Sequence, residues 1–440
     1  AALDVTGAVS AANVTLADSA GGAALTVSGS IAGSDTVSLT ASTGALALNG
    51  VITAATLDLN AAAGISQGGG SLAVGTLLSS TGVTGDVLLT RDSNRIATLD
   101  AFTVTGGSLS LTDAGPLTIA SAGTIPAQVA ADDFTLVMVG AGASGNVAIS
   151  GAIVVPGTLS VTTNGTIQRS GGDFIVGTLT GSAVTLADFG TGAMLSTLGQ
   201  FTVTGSEFML GNAQPLTIIG PLSAEFFRIT ATGSMTLAGD ITTLGETRAQ
   251  QGLADIKYAG SDAALNNPLP DRGSYLAVLA DGDAPATFTQ ATPVTISTAG
   301  GDVSTLRIQL LSNGGTITLG DLTAPSTDLL LFPGGNGDVV GTGHVNLYGL
   351  LVAGRGGKSD LSGIIATVDG AGAAHLATIT PLPDPSYRFN ACPIGSVNCV
   401  LMPVNVLPPI NPLRNFFIGE TRGDEDDLDL ILPNVADEDY

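Results

Sequence analysis

Residues 195–218 read LSTLGQFTVTGSEFMLGNAQPLTI, and the stretch occurs twice. Ninety-nine residues earlier, 96–119 read IATLDAFTVTGGSLSLTDAGPLTI. The two align without a gap and share 13 of 24 positions. Among these are Phe102 and Phe201, the Thr-Val-Thr-Gly that follows each, and the closing Pro-Leu-Thr-Ile. A second pair recurs at an offset of 102: ISQGGGSLAVGTL at 65–77 and IQRSGGDFIVGTL at 167–179. Self-similarity on this scale marks a chain built by stacking one unit on another. The repeated content is short apolar runs parted by Gly, Asn or Pro. No obvious catalytic group repeats with them.

The runs keep a steady beat from the first residues. Leu3-Asp4-Val5, Val14-Thr15-Leu16, Leu25-Thr26-Val27, Val37-Ser38-Leu39, Leu46-Ala47-Leu48 and Leu57-Asp58-Leu59 follow one another at intervals of 9 to 12 residues. Each alternates as a strand does, with one face in and one face out. The residues between them, Gly, Ala, Asn, Ser and Asp, accept tight turns. Nothing keeps a helical period over ten residues or more. An antiparallel sandwich or barrel and a parallel solenoid both use many short strands. Few turns carry Asn-Gly or Asp-Gly at the two-residue hairpin position, and the repetition persists over about 100 residues, so the solenoid is favoured. Two or three strands per coil predict coils of roughly 20–25 residues. Phe102 and Phe201 are then expected at equivalent inward positions, four or five coils apart on one face.

Composition agrees with thin stacked layers. Aromatic residues are 4%, there is no Trp, and charged residues are 11%, under half the usual share. Small and β-branched side chains are left to fill the core. The net charge of −24 makes nucleic acid an unlikely partner, because phosphate would be repelled. No uncharged apolar run is long enough to span a bilayer. Residues 1–20 lack the basic start and apolar core of a signal peptide, and the chain is expected to be a mature piece of something longer.

Four regions follow. Residues 1–250 form the β-helix with its long internal repeats. Residues 251–300 are more polar and carry Asn266-Asn267-Pro268 and Asp281-Gly282-Asp283, and read as an irregular insertion or looser coils. The strand beat resumes over 301–380 in terminal coils. From 381 to 440, prolines at 381, 383, 385, 393, 403, 408, 409 and 412 exclude regular central strands. That tail is expected to be extended. It ends in a run of acids around Leu428-Asp-Leu-Ile-Leu432, and it holds the only cysteines, Cys392 and Cys399. Their spacing suits a small disulfide loop better than a zinc site; two buried thiols are the alternative. With no other cysteine in the chain, a disulfide and an oxidising compartment are expected.

At this point a resemblance emerges. The patterns at 65–77 and 167–179, with Phe-Thr-Val-Thr-Gly followed by Pro-Leu-Thr-Ile, resemble filamentous-haemagglutinin-like exoproteins. The tail, at Tyr387-Arg388-Phe389-Asn390 before Cys392 and at Leu407-Pro-Pro-Ile-Asn-Pro-Leu413, resembles the C-terminal ends of such proteins. The resemblance implies a right-handed parallel β-helix, secreted to the cell surface or beyond through an outer-membrane two-partner secretion transporter. It implies an adhesin or biofilm matrix role, toward a host or bacterial surface or other copies of the chain. No Asn-Pro-Asn-Gly-type secretion motif is present in the chain, so it would be the C-terminal portion of a longer polypeptide.

Chemistry-bearing residues are sparse. His344 and His375 lie 31 residues apart without a companion ligand, and both read as structural or surface residues. Asp132-Asp133 has the look of a paired carboxylate from a polysaccharide-cleaving β-helix, but lacks nearby basic and aromatic sugar contacts. Turn acids are the better reading. No Gly-x-Ser-x-Gly elbow occurs. Gly334-Gly-Asn-Gly-Asp338 is a single, out-of-register version of a calcium turn. Calcium held by carbonyls and the tail acids is the one cofactor left open. Arg422-Gly423-Asp424 is a tripeptide that some adhesins present to integrins; in an acid run it reads first as a solvated turn. The expected function is non-catalytic adhesion or matrix formation. A self-assembling extracellular fibre is the first alternative, and a polysaccharide-active β-helix enzyme the second.

Overall fold

The computed structural model describes residues 2–19, 21–120, 128–244, 274–291, 293–299, 304–312, 314–334, 337–341 and 343–353, with short strands at 365–368, 376–379, 388–393 and 400–403. The fold is the parallel β-solenoid that the repeat predicts. Two compact units are distinguished, 1–206 and 207–440.

In the first unit three parallel ladders form. One runs through Ser71–Leu78, Arg95–Leu99, Leu117–Ile119, Val147–Ile149, Thr166–Arg169 and Leu186–Asp188. The next runs through Phe102–Thr105 and Gln128–Ala130 into the first halves of Ala152–Thr163, Phe174–Ala183 and Ala193–Val203. The last takes Leu109–Asp113, Phe134–Met138 and the second halves of the same three long strands.

Alternation along each short strand sets the core. On the last ladder, Leu25, Leu46, Ile65, Val87, Leu109, Phe134, Leu159, Leu179 and Leu198 lie directly above one another, all buried. Each buried aliphatic contributes roughly 1.5–3 kcal/mol, so inward columns of this kind are the main source of stability. Phe174, Phe189 and Phe201 add an aromatic run, with ring centroids 5.6 and 5.7 Å apart.

The repeated Val-Gly-Thr marks a place where a side chain would not fit. A Cβ on Gly75 would lie 2.7 Å from the Ala55 carbonyl oxygen, and one on Gly177 would lie 2.0 Å from that of Pro156. Gly177 faces the irregularity between Val155 and Thr158 in the neighbouring strand. Glycine lets the backbones of successive coils approach at this bend.

Phe102 and Phe201 are both buried, as the repeat predicts. They are not on the same ladder. Phe102 stacks through Val129, Ile153 and Phe174 to Ala193. Phe201 stands over Gly181, Val161, Leu136 and Leu111 on the next ladder round. The second repeat pair is displaced likewise: Ile65 begins a strand of the ladder that holds Leu109, and Ile167 one of the ladder that holds Ile96. Coil length is the reason. Four coils separate Phe102 from Ala193 and use 91 residues, so an offset of 99 carries the copy eight residues past a whole number of coils.

The second unit is also built from parallel ladders. Glu207–Gly211, Phe226–Thr232, Ser274–Leu279, Ser304–Leu311, Leu322–Phe332 and His344–Ala353 form one of them. Of the region expected to be irregular, 251–273, 292 and 300 lie outside the described residues, as do 245–250 before it. Residues 274–299 supply strands in regular register, with Tyr275 over Arg228, Phe288 over Met235 and Ile296 over Ile241. His344–Ala353 pairs onward with Ile365–Val368 and Leu376–Ile379. Within the Pro-rich tail, Arg388–Pro393 and Val400–Pro403 pair antiparallel, each ending on its proline. Residues 404–440, with the acidic end, lie outside the described residues.

Candidate functional surface

Among the described residues of the first unit, three settings for polar side chains stand out: the corners between strands, buried positions near bends, and the outward sheet faces. The corners follow a rule. Asn13, Asp86, Asp133 and Asn146 each stand immediately before the first inward residue of a strand. Each Oδ1 accepts the backbone N–H of the residue at the same register position one coil on: Thr36 at 3.2 Å, Ser108 at 3.0 Å, Thr158 at 2.5 Å and Thr166 at 3.0 Å. In the second unit Asp240 does the same for Thr295 at 2.8 Å. The partner is Ser or Thr every time. A short oxygen acceptor fits here because an N–H at the start of a strand has no ladder partner of its own.

A second corner motif spans three coils. Asp58 accepts the Ser38 and Ser80 hydroxyls, the Ser80 backbone N–H and the Asn60 amide. Asn60 in turn accepts the Ser79 hydroxyl and the Thr81 N–H. At another bend Arg169 donates to the carbonyls of Phe189, Thr191 and Gly172, with its guanidinium 5.5 Å from the centre of the Phe174 ring.

Among the described residues, the interior of the first unit holds a polar cluster on successive coils. Gln67 and Asn94 form a two-way amide pair at 2.8 and 2.9 Å, and Asn94 also accepts the Leu72 N–H. On the next coil Asp113, fully buried, accepts the N–H groups of Ile96 and Gly115, both at 3.0 Å. Burial raises its pKa above the usual carboxylate value, against the lowering effect of those bonds and of Arg95. These groups are satisfied inside the coil and fasten one layer to the next.

The outward faces are what remains for a partner to meet. Thr36, Thr56, Thr76, Thr98 and Thr118 stack in register through five successive coils, half-buried by their neighbours. On another ladder Ser110, Thr135, Ser160 and Thr180 form one column, and Thr112, Val137, Thr162 and Ser182 a second beside it. The ladder that holds Phe102 carries an outward apolar column of Ala130, Val154, Ile175 and Met194; the last two are 40% and 43% exposed. Successive coils repeat every ~4.8 Å, so each column is a straight row of like groups.

Those residues singled out by sequence that are described stand on different elements. Asp133 is committed to its corner bond, and Asp132 is an exposed turn residue beside it. His344 opens a strand. Asp338 begins another, beyond the positive-φ Gly334. Cys392 lies in Arg388–Pro393, paired with Thr367 and one residue beyond the Ala391–Val400 pair. Cys399, His375 and Arg422-Gly423-Asp424 lie outside the described residues. Among the described residues no group of three or more His, Cys, Asp or Glu side chains could hold a metal ion, and no helix is long and apolar enough to cross a membrane. Apart from Asp133, the corner residues were not singled out by sequence. Their signal is an Asp or Asn just before a strand beat, with Ser or Thr at the same place one coil later.

Comparison with protein-family models, curated proteins and solved structures returns no match.

Proposed function

We propose that this chain is a secreted, extracellular or cell-surface β-solenoid of the filamentous-haemagglutinin-like kind, acting as an adhesin or matrix scaffold without catalysis. Export would proceed through an outer-membrane two-partner secretion transporter. The observation that carries the reading is the division of polar groups. Several acids and amides are committed to fastening coils, while the outward faces offer long uncharged rows of hydroxyl and methyl groups. Such rows suit contact with an extended surface, where many weak contacts sum by avidity.

The test is retention of the purified chain on bacterial cells, extracellular matrix and inert particles in ~0.15 M salt, the physiological regime of screening. A double variant, Thr135→Lys with Thr180→Lys, interrupts the outward columns without entering the core. Retention that exceeds an unrelated solenoid control and falls in the variant supports the reading. Equal retention of wild type and control on every surface sinks it. Filaments by electron microscopy would shift the reading to a self-assembling fibre. Glycan cleavage abolished by Asp132→Asn would replace it with an enzyme.

A further inference from the structure

We draw no further inference here: the strongest candidate, the paired outward columns of Ser110, Thr135, Ser160 and Thr180 beside Thr112, Thr162 and Ser182 on one sheet face of the first unit, is a stripe of small side chains with nothing in the structure to show what covers it.

Discussion

The carboxylate of Asp133 accepts the backbone N–H of Thr158, the residue one coil above its own register position. That bond gives the acid a structural role at its corner. It also ranks the forces in the coil. A hydrogen bond of this kind is worth about 1 kcal/mol, or somewhat more with a charged acceptor. Emptying the site of a buried leucine costs about 2–5 kcal/mol. Inward columns therefore supply most of the stability, and corner bonds help to fix which residue sits above which.

Replacing Asp133 should separate acceptor from charge. Asp133→Asn keeps the Oδ1 acceptor and is expected to change stability by less than ~0.5 kcal/mol, whereas Asp133→Ala should cost about 1–2 kcal/mol. Amide hydrogen exchange at Thr158 reads this locally. Equal protection in both variants would show that the bond does not hold the corner.

Asn94 should matter more, because its removal leaves other buried groups without partners. Asn94→Ala strands the Gln67 amide and the Leu72 N–H. A loss of about 3 kcal/mol is expected from buried unsatisfied groups. Urea unfolding of the wild type and variant measures it. A loss under ~1 kcal/mol would mean that the bend repacks.

Asp113 makes a prediction about pH. Its folded pKa is raised, chiefly by burial. The folded state therefore holds this proton to higher pH than the unfolded state does. Its contribution favours folding below the unfolded carboxyl value, and is lost as pH rises through the raised folded value. Carboxyl-carbon NMR should find Asp113 titrating above the usual carboxylate value. Asp113→Asn should remove that part of the pH dependence. Titration at or below the ordinary value would contradict the burial argument.

Gly177→Ala puts a methyl where the Pro156 carbonyl stands 2.0 Å away. Relaxing that clash should cost roughly 1–3 kcal/mol, and thermal unfolding would register it. An unchanged melting temperature would show that the bend yields freely.

Oxidised Cys392 and Cys399 should resist alkylation until a reductant is added, with a mass two protons below the dithiol form. Ready alkylation of both without reductant would remove the disulfide and, with it, one support for an oxidising compartment.

Much of the fold is legible in the sequence because alternation is local. The triplets at Leu3, Val14, Leu25, Val37, Leu46 and Leu57 all fall within strands, and the inward residue of each is the one that the pattern marks. Ladder identity is not local. It depends on the length of every intervening coil, and these run from 27 residues between Phe102 and Val129 to 19 between Phe174 and Ala193. A repeat thus shows which way Phe201 points relative to its backbone, and leaves open which side of the coil it occupies. The outward rows proposed as a contact surface are less legible still. Outward threonines at 36, 56, 76, 98 and 118 become a row only once register is known, since nothing in a single strand marks them.

The one-side displacement of the repeats has a consequence for how such a chain can grow. Thr103 and Thr202, copies of one residue, are carried on different walls of the same unit. A segment duplicated without regard to whole turns can still be accommodated, because every wall asks the same alternation of its interior. Duplication then multiplies the directions in which a motif is displayed as well as its number, and a protein that lengthens this way turns sequence redundancy into angular coverage.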